Sequence, residues 1–292
     1  MRMVGARPGT AAYRRTRAIG TTFLCVPLLY TLLPLAYLVI AATKTQSDLF
    51  GTFGFAFGHS MALFSNIHAV FTFENGVFLH WLINTALYSG SASIGTTLIS
   101  SAAGYAFARF RFIGSRALFA LVLGAVMIPQ TALTIPIFLL LSQLGLIDTP
   151  LAVILPSLVF PLGVYLMRVY IEQAVPQDLI DAARMDGAGE LLIFTTIVFP
   201  LITPAAATVL LLSFVATWNN YFLPLVVLSR PSLFPVTVGL ASWYQAASAG
   251  GGSQAIFTLV LTGALVAILP VLATFLCLQR FWQTGLGSGG VK

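Results

Sequence analysis

The sequence predicts an all-α, polytopic membrane protein, and three observations carry that expectation. Hydrophobic residues make up 58% of the 292 positions and charged residues 8%, against roughly 25% charged in soluble domains; mean hydropathy is +0.95. Long stretches without charge recur along the chain at lengths that suit membrane helices. The charges that remain are sorted by sign among the segments that join those stretches.

Residues 1–17 carry Arg2, Arg7, Arg14, Arg15 and Arg17 with no acid among them, and form an N-terminal segment. Residues 18–42 hold no charge. At ~1.5 Å per residue they make ~37 Å of helix, enough to cross a core of ~30 Å with some tilt. Pro27 and Pro34 are expected to kink this span, which neighbouring helices can accommodate. Residues 43–80 form a looser segment lying partly on the membrane surface, with Lys44, Asp48, Glu74 and the three histidines. A second span, 81–107, stops at Arg109, Arg111 and Arg116, and a third, 117–141, contains Pro129 and Pro136. A polar link at Asp148 and Pro150 leads to the fourth, 151–170. The fifth covers 199–228 and the sixth 254–278, separated by 229–253, and a tail of 279–292 follows. The expectation is six transmembrane helices in one domain, 18–278.

Placing both termini and the 171–198 loop in the cytoplasm puts twelve Lys or Arg inside and two, Lys44 and Arg230, outside. That is a strong positive-inside bias. It accounts for the net charge of +6 without a nucleic-acid partner. The first apolar run is too long for a cleavable signal, and no small-residue cleavage site follows it. Cys25 and Cys277 fall within spans and are expected to stay unpaired, as small apolar side chains.

No ionisable residue lies deep in any of these spans, whereas proton relays and voltage sensors carry them there. Concentrating a neutral solute a thousandfold costs ~4.1 kcal/mol, and this chain has no means of supplying it. The only lysines, Lys44 and Lys292, sit in no phosphate-binding G-x-x-x-x-G-K-[ST] loop. His59, His68 and His80 share one segment without metal-ligand spacing, and read as ordinary polar loop residues. No enzyme constellation is present, so the chain is expected to be non-catalytic. A sodium-coupled carrier using backbone carbonyls of the proline-broken third helix stays open, and a membrane enzyme ranks last.

The loop at 171–198 is the exception to this plainness. Glu172, Asp178, Asp181, Asp186 and Glu190 are five of the eight acidic residues. Residues 178–185 read as a short helix, with Pro176 suited to its first turn and Gly187 to its left-handed end. Leu179, Ile180 and Ala183 make a small apolar face. Ala182 and Ala183 allow close approach of another surface, while Asp178, Asp181, Arg184 and Asp186 can set its register by charge. A solvated connector between two spans would show the same periodicity.

The run DAARMDGA, with Ile197 following nine residues after Gly187 and then Phe199-Pro200, resembles the EAA motif of permease subunits in binding-protein-dependent ABC importers. That motif reads Glu-Ala-Ala, three residues, Gly, nine residues, Ile-x-Leu-Pro. Asp181 stands for the glutamate and Phe199 for the leucine, each keeping the chemical type. The runs NTALYSGSASIGTTLISSAAGYAFARFRF, MIPQTALTIPIFLLLSQLGLIDTPLAVIL and WNNYFLPLVVLSRPSLFPVTVGLASW resemble segments of the carbohydrate permeases, although many of those have an acid at the place of Asn220. QRFWQTGLGSGGVK resembles the tail of the maltose-type second permease.

The resemblance implies the type I ABC importer permease fold in a bacterial-type inner membrane, importing a sugar or sugar-like solute. It implies a second homologous permease with which the chain shares the pathway, a cytoplasmic ATPase dimer and an extracytoplasmic solute-binding protein. ATP and Mg would be held by the ATPase, with no cofactor in this chain. The 171–198 loop, with Asp178, Asp181, Ala182, Ala183, Arg184, Asp186 and Gly187, would dock on the ATPase, and residues 285–292 would make a weak second contact. Trp243, Tyr244 and Gln245 would suit sugar stacking or contact with the binding protein, and equally interfacial anchoring or packing. Trp218, Asn219 and Asn220 would line the pathway or join helices.

Overall fold

The computed structural model describes residues 11–249 and 255–287, with side chains from 20 to 249 and from 256 to 281. Residues 1–10, the 250–254 stretch with its glycine run, and 288–292 of the tail lie outside the described residues. No strand occurs among the described residues. The chain divides into two compact units, residues 1–70 with 246–265, and residues 71–245 with 266–292.

The first unit is built on α1 (Ala11–Ala42), which runs through Pro27 and Pro34 without a break in the helix. Its side chains from Phe23 to Leu33 are largely exposed, as suits a helix whose solvent is lipid. Beyond it the expected loose surface segment is instead a compact knot. Lys44 is 1% exposed, and its Nζ donates to the carbonyls of Phe53 and Gly54 at 2.9 and 3.3 Å. Asn66 on α3 (Leu63–Thr72) donates to the carbonyls of Ala42 and Lys44. Asp48 on α2 (Gln46–Gly51) accepts from Thr45, from the His59 backbone and from the His59 ring. Lys44, Asp48 and Asn66 thus tie this segment together, because an unpaired buried polar group is costly.

The second unit is organised around α4 (Val77–Arg109), a helix of 33 residues and so ~50 Å long at ~1.5 Å per residue. It packs on α8 (Pro161–Ala174) and α12 (Thr203–Trp218). Thr85, Ser89, Ser93, Thr96, Thr97, Ser100 and Ser101 form a buried stripe along it. Thr85, Ser89, Thr97 and Ser101 each return their hydroxyl to the carbonyl four residues back. Small side chains of this kind let helix backbones come close, and at Gly104 the approach is such that an added Cβ would lie 2.6 Å from Met167 Cβ. At its Trp81 end α4 holds the 231–234 turn, through Trp81, Asn84 and Tyr88 onto the carbonyls of Pro231, Ser232, Phe234 and Leu233.

Two expected spans are sharply bent. The third divides into α5 (Ser115–Val126) and α6 (Thr134–Gln143), joined by a short 3₁₀ turn and bent by 103°. The break falls at Pro129, while Pro136 sits in the first turn of α6, where a missing N–H costs nothing. The fifth was expected as one helix over 199–228, and this is corrected. The helix from Glu190 continues through a π segment (Phe194–Val198) to Leu201, bends by 82°, resumes as α12 and stops at Trp218. A separate short helix, α13 (Phe222–Val227), follows. Absence of charge did not reveal these stops, which come from the backbone at Ile202 and at Asn219-Asn220.

Among the described residues Gly20–Ala42, Leu151–Ala174 and Ile256–Phe281 are long and apolar enough to cross a membrane, and counting each bent pair as one span raises the number to five. α4, which holds the expected second span, is not among them. Its polar stripe faces protein rather than lipid. The fourth span comprises α7 (Leu151–Ser157) and α8, and the sixth is α15 (Ala255–Gly287). The architecture is that of a multi-pass membrane protein.

Candidate functional site

The loop singled out by its acids folds as α9 (Gln177–Met185), started by extended Pro176. Its end is a Schellman motif. Gly187 has φ +82°, its N–H donates to the Arg184 carbonyl at 3.0 Å, and the Ala188 N–H reaches back to Ala183 at 3.0 Å. Only a residue that tolerates the left-handed region closes a helix in this way.

The two faces of α9 differ. Ile180 is fully buried in a core with Tyr105, Met167, Ile171, Val175, Ile193, Val198 and Ile202, against which Ala183 also packs. Leu179, expected on the same apolar face, is 46% exposed; the ~100° between consecutive helical residues turns it outward. The outward face carries Asp178, Leu179, Asp181, Ala182, Met185 and Asp186, so carboxylates alternate there with apolar side chains.

The charges are shared within the loop. Arg184 donates from Nε to Glu190 Oε1 at 2.7 Å and from Nη1 to Asp181 Oδ1 at 3.2 Å. The Arg184 guanidinium holds the Glu190 carboxyl below the usual carboxylate range against the opposing effect of burial, and the Tyr105 hydroxyl at 2.9 Å from Oε2 acts in the same direction. Gln177 Nε2 donates to Asp181 Oδ1 at 3.0 Å. The structure therefore brings Asp181, Ala183, Arg184 and Gly187 into one anchored unit and leaves Asp178, Ala182 and Asp186 outward. Glu190, Tyr105, Arg109 and Gln177 were not singled out as site residues. Glu190 was visible as an acid, but nothing local in the sequence pairs it with Tyr105.

At the other end of the unit, Trp243 on α14 (Val236–Ser248) is 3% exposed. It packs among Phe73, Phe78 and Trp81 and donates to Glu74 Oε2 at 3.1 Å. Tyr244 and Gln245 are exposed. Trp218 is buried, stacked on Phe214, with its indole N–H on the Ala267 carbonyl. Asn219 caps its own helix at Val215, and the Asn220 carbonyl accepts from Thr237. Both tryptophans are thus held by protein groups. Asp148, at φ +60°, accepts from the backbone N–H groups of Ser229 and Arg230 and pairs with Arg230 Nε at 2.6 Å. Those two N–H groups, above all, keep the Asp148 carboxyl below its ordinary range. Among the described residues no group of three His, Cys, Asp or Glu is placed to hold a metal ion.

A family model described as the binding-protein-dependent transport system inner membrane component matches residues 95–281, which covers α9 and its core. The chain belongs to this family. Among its relatives is the arabinooligosaccharides transport system permease protein AraQ of Bacillus subtilis (strain 168), 34% identical over 99% of this chain and 100% of that protein. The melibiose/raffinose/stachyose import permease protein MelC of the same organism is 30% identical over 97% of this chain and 99% of its own length. In fold, this member of the family resembles a chain from the crystal structure of a bacterial ABC transporter involved in the import of the acidic polysaccharide alginate. The TM-score is 0.79 at 23% identity, over 94% of this chain and 99% of that one.

Proposed function

We propose that this protein is the permease subunit of an ATP-driven importer for a sugar or oligosaccharide, forming half of the translocation path with a second, homologous permease. An extracytoplasmic solute-binding protein delivers the solute, and a cytoplasmic ATPase dimer, which holds ATP and Mg, supplies the work. Both termini and α9 lie in the cytoplasm, in keeping with the charge distribution. Support for the solute class comes from two relatives named above, one described as an arabinooligosaccharides transport permease and the other as a melibiose/raffinose/stachyose import permease.

The observation that carries the reading is the two-faced character of α9. One face is locked into the core through Ile180, and the other offers Leu179, Ala182 and Met185 among Asp178, Asp181 and Asp186. An apolar centre with a charged rim is what a protein partner needs. With the core face fixed, a push on the outer face moves the bundle rather than the loop alone. A cysteine at Met185 should cross-link to the ATPase in purified assemblies. Asp181→Arg or Gly187→Pro should lower ATPase association while leaving membrane insertion intact. Normal uptake by both variants would count decisively against the reading. Titrating the solute-binding protein with candidate sugars identifies the solute.

A further inference from the structure

The covalent joints of α9 are poor transmitters of force. On one side Val175 and Pro176 are extended, and on the other the chain turns through Gly187 and extended Gly189. Neither joint continues a helix, so neither fixes the direction of α9 by itself. Besides the packing of Ile180, its direction is set by side chains from the end of α4 and the residue after it.

Just before α9, Arg109 Nη2 takes the carbonyls of Ile171, at 2.8 Å, and of Val175, at the end of α8. Its Nη1 reaches Gln177 Oε1 at 3.3 Å. At the far end, the Tyr105 hydroxyl donates to Glu190, whose other oxygen takes Arg184. Rings close the gap between these two points. Phe110 meets Tyr105 edge-on at 5.5 Å and lies 5.9 Å from the Arg184 guanidinium, and Phe194 meets Tyr105 tilted at 5.5 Å. Charge-assisted bonds of this kind are short and directional, and two of them at separated points fix an axis where one would leave a pivot.

We propose that Tyr105, Arg109 and Glu190 are the positioning residues of the coupling helix, tying its start to α4 through Gln177 and its far end to α4 through the Glu190–Arg184 pair, so that a displacement of α9 is delivered directly to α4 as well as along the chain into α8. This rests on the reading of α9 as the helix that meets the ATPase.

The test uses the complete reconstituted assembly, with Cys25 and Cys277 replaced by alanine and spin labels at Met185→Cys on α9 and Ala102→Cys on α4. Both label positions are exposed. Distances are read with no nucleotide and after trapping with MgATP and orthovanadate. The expected result is one narrow distance, equal in both states, because the two helices move together. In Tyr105→Phe with Glu190→Gln, which keep the shapes of both side chains, the distribution should at least double in width and shift on trapping. Arg109→Gln should do the same alone. A merely structural role predicts lost assembly or a lower melting point, with no dependence on trapping. Narrow, unshifted distances in all variants overturn the clamp. Loss of the Met185 cross-link to the ATPase overturns the docking reading, and because it is measured separately the two failures are distinguishable.

Discussion

Gly104→Ala probes the packing on which the bundle depends. The new Cβ would lie 2.6 Å from Met167 Cβ, 2.8 Å from the Arg168 backbone nitrogen and 3.0 Å from the Met167 carbonyl carbon. Carbon atoms settle at ~3.5–4.0 Å, so α4 and α8 would have to part by ~1 Å. Two of the three obstructing atoms are backbone, and no side-chain rotation relieves them. Overpacking of this type costs ~1–3 kcal/mol, while alanine gains ~0.5–1 kcal/mol over glycine inside a helix. The net expectation is a loss of roughly 1–2 kcal/mol. Gly124 on α5 is the control, because a Cβ there meets nothing within 4 Å. Gly124→Ala should therefore gain ~0.5–1 kcal/mol. Unfolding of both variants in one detergent, ranked against the parent by midpoint, reads opposite signs. A Gly104→Ala protein as stable as the parent would refute the close approach of α4 and α8.

At Gly187 there is space for a Cβ but φ is +82°, so Gly187→Ala should cost ~1–2 kcal/mol through backbone strain alone. Gly187→Asn should cost less, measured as amide exchange along α9. Glu190 has its carboxyl pKa lowered from 4.5, chiefly by the Arg184 hydrogen bond. Its contribution is complete above the ordinary carboxylate range and is lost as pH falls through the depressed value. A spin label at Met185 should stay immobile through the ordinary carboxylate range and loosen only at lower pH, and loosening at neutral pH would contradict the pairing. Asp148→Asn keeps an oxygen for the Ser229 and Arg230 N–H groups and tolerates φ +60°. It should therefore protect the 228–235 segment from proteolysis better than Asp148→Ala does.

The parts of this molecule that were legible in the sequence are those specified by near neighbours. Pro176 and Gly187 bracket α9 within a few residues, and Pro129 marks the break in the third span. Lipid-facing helices such as α1 announce themselves by composition. What stayed hidden depends on contacts between distant positions. Tyr105 and Glu190 are 85 positions apart, and no local pattern distinguishes that tyrosine from its neighbours. Lys44 and Asp48 looked like surface charges, because the carbonyls and the histidine that bury them come from a later turn of chain. The fifth span was drawn too long for a related reason: lack of charge measures tolerance of lipid, not continuity of the helix.

The serine and threonine stripe of α4 bears on how the protein is made. The helix that lies against both α8 and α12 is the one least suited to lipid by composition, since its hydroxyls find shelter only against partners synthesised later. A nascent chain halted just after Arg109 would hold that segment poorly in the bilayer. Secure residence would come only once the ribosome had passed Trp218, so the segment on which α8 and α12 converge settles after they do.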